Sequence, residues 1–119
     1  MILLKIYWRT KAAIKKLCFK IMFGKRFSVG KNTTFRKNFG LYLEKGASIK
    51  IGHDCFFNRG CSVNCLESVE IGNHTIFGEN VKIYDQNHKF RDRTKLIREQ
   101  GYSTGRVKIG NNCWICTNA

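Results

Sequence analysis

The stretch IGNHTIFGENVKIYDQNH, residues Ile71 to His88, decides how the rest of this chain is read. It holds two consecutive units of six, Ile71-Gly72-Asn73-His74-Thr75-Ile76 and Phe77-Gly78-Glu79-Asn80-Val81-Lys82. A third unit starts at Ile83 and loses the pattern shortly before a histidine. A repeat this short builds scaffold, and the place where it breaks is where chemistry is expected.

Working outward, the same period recurs with units beginning at Val29, Phe35, Ile51, Phe57, Ile71, Phe77, Ile109 and Ile115. The first position is always apolar, and the second is glycine at 30, 52, 72, 78 and 110. The fourth is Asn32, Asn38, Asp54, Gly60, His74, Asn80, Asn112 or Asn118, all residue types that tolerate a left-handed backbone. The fifth, Thr33, Phe39, Cys55, Cys61, Thr75, Val81, Cys113 or Ala119, is small in all but one case. Each unit therefore reads as a short strand and a tight corner, and three units make one coil. A coil cannot bury its own inward residues, so coils must stack, with ladder hydrogen bonds between them and first positions aligned into a core.

This predicts an all-β chain, a parallel β-helix of about three and a half coils starting near Val29, Ile51, Ile71 and Ile109. The third unit of each coil, at Leu41, Val63 and Ile83, is followed by four, two and twenty extra residues. All excursions thus leave from one edge, and the large one, a loop of mixed charge over 84–106, carries His88.

Upstream of the repeat, residues 2–23 read as a basic amphipathic helix. Leu3, Tyr7, Ile14, Leu17 and Ile21 fall near one face, Lys5, Arg9, Lys16 and Lys20 lie on another, and Gly24 is a stop. Residues 1–24 are taken as this helix and 25–119 as the β-helix domain. Two readings of the helix stand: its apolar stripe packs on the end of its own domain, or it lies on an anionic membrane, where each basic residue contributes about 1 kcal/mol.

The formal net charge of the 119 residues is +14, and it is uneven: residues 1–43 hold eleven Lys/Arg and no acid, the remainder eleven against all eight Asp/Glu. Charge alone would suit a nucleic-acid binder. The aromatics, however, sit at core positions of the repeat instead of interleaving with basic residues, so nucleic acid is not an expected partner. No apolar run reaches the roughly 18 to 20 residues of a spanning helix, and Lys5 interrupts the opening Ile2-Leu3-Leu4 too early for a signal peptide. The expected location is cytoplasmic, peripheral on the inner face of the membrane if the helix docks there.

Six cysteines in such a chain argue against a disulfide framework. Cys55, Cys61 and Cys113 take the small inward position and read as core residues. Cys113-x-x-Cys116 spans two units and has no second pair to complete a zinc site. His74 holds a corner position and His53 neighbours one. With His88 they lack the two closely spaced histidines of a zinc hydro-lyase on this scaffold, the γ-class carbonic anhydrase pattern, and no metal is expected.

Val29 to Ala119 resembles the hexapeptide-repeat acyltransferases, in the branch of galactoside, maltose and capsular-polysaccharide O-acetyltransferases. The resemblance lies in Phe57-Asn58, Val69-Glu70-Ile71-Gly72, Val81 to His88, and Ile109-Gly110-Asn111-Asn112-Cys113-Trp114-Ile115. It implies a left-handed β-helix, a homotrimer with sites between subunits, acetyl-CoA as cosubstrate and a sugar or glycan precursor as acceptor. It places the general base at His88, acceptor contacts at Asn58 and Asp85, and coenzyme contacts at Trp114 and Thr117. Chemistry agrees for His88: a hydroxyl is a poor nucleophile until its proton is removed, and imidazole is a base suited to neutral pH. Asp85 reads equally as a partner of His88 or as a loop carboxylate paired with an arginine. The family pattern continues beyond this length and has Gly where Cys116 stands, so the β-helix is expected to be incomplete at its C-terminus. The alternative function is a non-catalytic β-helix scaffold, or a fragment of such an enzyme.

Overall fold

The computed structural model describes every residue from Met1 to Ala119. One helix, α1 (Ile2–Phe23), precedes a short 3₁₀ turn at Gly24–Arg26 and then a chain of short strands, with a second 3₁₀ turn at Ile97–Glu99 inside the long insertion. Nine of them follow the repeat: β1 (Phe27–Val29), β2 (Thr34–Phe35), β3 (Gly40–Leu43), β4 (Ser48–Ile51), β5 (Phe56–Phe57), β6 (Ser62–Cys65), β7 (Ser68–Ile71), β8 (Ile76–Phe77) and β9 (Lys82–Tyr84). After β10 (Gln86–His88) and β11 (Tyr102–Thr104) the chain returns as β12 (Arg106–Ile109) and β13 (Trp114–Ile115).

The repeat strands deal themselves in rotation among three parallel sheets, β1-β4-β7-β12, β2-β5-β8-β13 and β3-β6-β9. The registers are those the six-residue columns predict. Val29 pairs with Ile51, Ile51 with Ile71, and Ile71 with Ile109. Phe35, Phe57, Phe77 and Ile115 form the second column, Leu41, Val63 and Ile83 the third. Mostly β, with parallel strands in stacked sheets, the arrangement is consistent with a parallel β-helix.

Corners explain the sequence columns physically. All eight fourth-position residues have positive φ, from 51° to 65° at the seven that are not glycine and 78° at Gly60. Asn, Asp and His carry this conformation at less cost than a branched residue would. The second-position glycines answer to a different constraint. The amide of Asn73 sits over Gly52 and accepts the His53 N–H at 2.8 Å, and Asn111 sits over Gly72 and accepts the Asn73 N–H at 2.7 Å. His53 repeats the device, its Nδ1 accepting the Lys31 N–H at 2.8 Å over Gly30. A Cβ on any of these glycines would collide with the rung above it.

Inside the stack, Phe57 and Phe77 stack at 4.3 Å between ring centroids, and Phe35 and Phe39 continue the aromatic column toward α1. Fifth-position side chains tie successive coils together: Thr33 Oγ1 donates to the Gly52 carbonyl at 2.7 Å and accepts the Cys55 N–H, and the Cys55 thiol donates to the Gly72 carbonyl at 3.0 Å. No buried side-chain polar atom lacks a partner. β12 and β13 lie at the edges of their sheets, so Val107, Ile109 and Ile115 are only half-buried.

The helix differs from its sequence reading. Its covered positions are Trp8, Ala12, Lys15, Lys16, Phe19 and Phe23, and these close the first coil. Phe19 meets Phe27 and Phe39 at 5.4 and 6.2 Å, while Lys15 and Lys16 donate to the carbonyls of Phe39 and Gly30. The expected stripe of Leu3, Tyr7, Ile14, Leu17 and Ile21 is exposed. The sequence offered two apolar faces, and the more aromatic one, matched to the open Phe35–Phe39 end, took the packing. Gly24 ends the helix as expected, with φ 59° and its N–H on the Lys20 carbonyl. No helix is long and apolar enough to cross a membrane.

Candidate functional site

The third sheet ends where the pattern breaks. Asp85 follows β9 directly and is buried, 6% exposed, against the corner joining β6 and β7. Its Oδ1 accepts the Leu66 N–H at 2.8 Å, and its Oδ2 accepts those of Glu67 and Ser68 at 2.7 and 2.9 Å. The Cys65 thiol donates to the same carboxylate at 3.4 Å. Asp85 thus differs from both sequence readings: its hydrogen bonds go to a backbone corner, and it pairs with no arginine and with no histidine. Its oxygens face this corner, and none of its hydrogen bonds supports the role expected for it at the acceptor.

From this anchor the insertion leaves the stack as an antiparallel hairpin, where the sequence suggested only a loop. Gln86, Asn87 and His88 pair with Thr104, Ser103 and Tyr102. The carbonyl of Asp85 accepts the Gly105 N–H at 2.9 Å, so one residue clamps both strands of the hairpin base. At the tip, Gln100 clasps the backbone of Asp92 and Lys95, and Thr94 donates to Asp92 through hydroxyl and N–H, which lowers the Asp92 pKa. Between residues 86 and 106 this flap carries six Lys/Arg against Asp92 and Glu99.

His88 sits on β10, exposed, with its ring 4.6 Å from that of Tyr102 on the opposite strand. Neither ring nitrogen has a hydrogen-bond partner within the chain, so both are free to donate or accept. Tyr102 was missed by sequence reasoning. Its signal was the pair of polar triplets Gln86-Asn87-His88 and Tyr102-Ser103-Thr104 inside the long insertion, which could have been read as two hairpin arms.

The other candidates gather on the second sheet. Asn58 follows β5, and its Oδ1 accepts the Arg59 N–H at 2.8 Å, leaving Nδ2 unpartnered within the chain. Trp114 on β13 is 71% exposed and tops an outward column through Ile76, Phe56 and Thr34. The Arg36 guanidinium lies 5.3 Å from the Phe56 ring and 4.6 Å from that of Trp8. Thr117 rests over Gly78, where a Cβ would come within 2.6 Å of its backbone nitrogen. Asn58, Trp114 and Thr117 therefore share one sheet and its corner, while His88 stands on a flap that leaves the third sheet.

His74 is a corner residue with φ 60°, its Nδ1 3.7 Å from Asp54. All six cysteines are free: Cys55, Cys61 and Cys65 are buried, Cys113 is half-buried, and Cys18 and Cys116 are exposed. Burial, then the Asp85 carboxylate, pushes the Cys65 thiol from 9.0 up to about 12. No three His, Cys, Asp or Glu side chains are grouped so as to hold a metal ion.

No protein-family model, curated protein or solved structure matches this chain.

Proposed function

We propose that this chain is an acetyl-CoA-dependent O-acetyltransferase built on a left-handed parallel β-helix, with His88 as general base and a sugar or glycan-precursor hydroxyl as acceptor. The observation that carries the reading is His88 itself. It is an imidazole with both nitrogens free, presented on a clamped hairpin at the longest break in a regular stack.

The step is direct transfer. The acceptor oxygen bonds to the thioester carbonyl carbon as His88 takes the hydroxyl proton; the carbon–sulfur bond then breaks, and the leaving CoA thiolate takes that proton from the His88 imidazolium, which restores the base. Such a base contributes about 10²- to 10⁴-fold. Asn58 Nδ2, unpartnered in the chain, would donate to the acceptor. Trp114 and Thr117 would line the coenzyme groove, and the cationic flap suits the CoA phosphates.

Because Asn58 and Trp114 lie on a different sheet from His88, the full constellation calls for a second copy of the chain. The outward column of Phe56, Ile76 and Trp114 supports a homotrimer, in which a neighbour's flap would meet this sheet. The separation of the two groups within one chain is also what favours the second reading, a β-helix scaffold without catalysis.

Thiol release from acetyl-CoA with candidate sugars separates the two. The acetyltransferase reading expects turnover that falls about 10²-fold or more in His88→Ala. Equal rates with and without His88 would end the catalytic assignment. A folded oligomer that transfers no acetyl group to any sugar would favour the scaffold.

A further inference from the structure

We propose that the outward face of α1 docks the protein on an anionic lipid bilayer, lying in the interface without crossing it. The inference stands on the helix alone and is independent of the acetyltransferase reading.

A helix that caps a domain normally turns a polar face to water. Here the face opposite the Ala12–Phe19–Phe23 cap is apolar. At 3.6 residues per turn, Leu3, Ile6, Tyr7, Ile14, Leu17 and Ile21 fall within a sector of roughly 100° centred away from the first coil. All six are 49–81% exposed. Thr10 within that sector and Ala13 at its margin are uncharged.

The sector is bordered on both sides by cations, Arg9 and Lys20 along one flank and Lys11 along the other. No acid occurs before Glu44, so nothing on the helix offsets them. Apolar side chains pointing outward with basic side chains at both margins suit the boundary between acyl chains and headgroups, where lysine stems lie along the apolar layer and the ammonium groups reach phosphate. A second protein surface would have to be apolar and acidic to match. An anionic bilayer supplies both properties at once, and at any position along the helix.

Division of labour between the two faces makes the idea testable without unfolding the protein. Flotation of the full chain with vesicles of phosphatidylcholine alone, and of phosphatidylcholine mixed with phosphatidylglycerol, gives the reference. Binding is expected to the mixed vesicles, weakening as salt rises. Ile14→Gln with Leu17→Gln leaves the cap residues in place; it should keep the melting temperature and lower vesicle binding about tenfold or more. Lys11→Glu with Lys20→Glu keeps the apolar sector and should abolish the preference for anionic vesicles.

Three results would overturn the proposal: no binding of the full chain to mixed vesicles, unchanged binding in both variants, or equal binding to neutral vesicles. Should Ile14→Gln with Leu17→Gln instead dissociate an oligomer whose parent ignores vesicles, the face is an interface between copies and the bilayer is wrong.

Discussion

His74 shows how one side chain can invite a functional reading that its backbone explains. It has φ 60° at a corner where the equivalent positions hold Asp54 and Asn112, and its Asp54 contact is exposed and long. Surface ion pairs of this kind contribute about 0–1 kcal/mol. A corner role predicts that His74→Gly changes stability little and that His74→Val costs about 1–2 kcal/mol, because a branched residue pays the left-handed penalty in full. Chemical denaturation of the two variants checks this; equal losses in both would point to the imidazole instead. The buried thiols make a pH prediction. The folded-state pKa of Cys65 is raised, from 9.0 to about 12, so its contribution is complete below pH 9 and is lost as pH climbs toward 12. Lys15 and Lys16 act in the opposite sense: burial, then a neighbouring lysine, lowers their pKa values, so stability tied to them rises toward pH 10.5. The informative quantity is therefore the difference between wild type and Cys65→Ala. The variant should be about 1 kcal/mol less stable at pH 7 and lose less on going to pH 11.

At the level of elements, what could be read from the sequence was what repeats. Corners at Asn32, Asp54 and Asn80 and columns such as Val29, Ile51 and Ile71 recur at fixed spacing, so stacking follows from local pattern. Single-copy features were not legible. Asp85 finds its partners in Leu66, Glu67 and Ser68, some twenty residues back, and only the third dimension brings them together. The helix carried two apolar faces, and which of them packs is decided by the aromatic end of the stack. His88 could be singled out because it ends a repeat, whereas Tyr102 opposite it carried only the weaker signal of a polar triplet in the insertion. Asp85 gives the hairpin its fixed base, which predicts a distinctive result for Asp85→Ala. Three corner N–H groups would lose their acceptor at a cost of about 2–4 kcal/mol. Hydrogen exchange should then quicken at residues 66–68 and through the hairpin, while the β1–β4 ladder stays protected. Uniform acceleration across the chain would mean that Asp85 is merely a core residue.

The whole molecule is elongated: its Cα radius of gyration is 15.6 Å against about 13.5 Å for a compact chain of this length. The flap projects from the stack, and the first residues of α1 are exposed on every side. If the second sheet meets a neighbour, sedimentation equilibrium should give three chains, and Ile76→Lys with Trp114→Lys should shift the population to monomer. A wild-type monomer at every concentration would remove the shared site. The three registered sheets carry one more implication. Since each circuit lifts the chain by a single strand spacing, about 4.8 Å, the span from α1 to the flap is quantised. Insertion or deletion of one full circuit would reset the height of His88 above the helix by that step alone, leaving both ends chemically intact: the scaffold is a ruler graduated in coils.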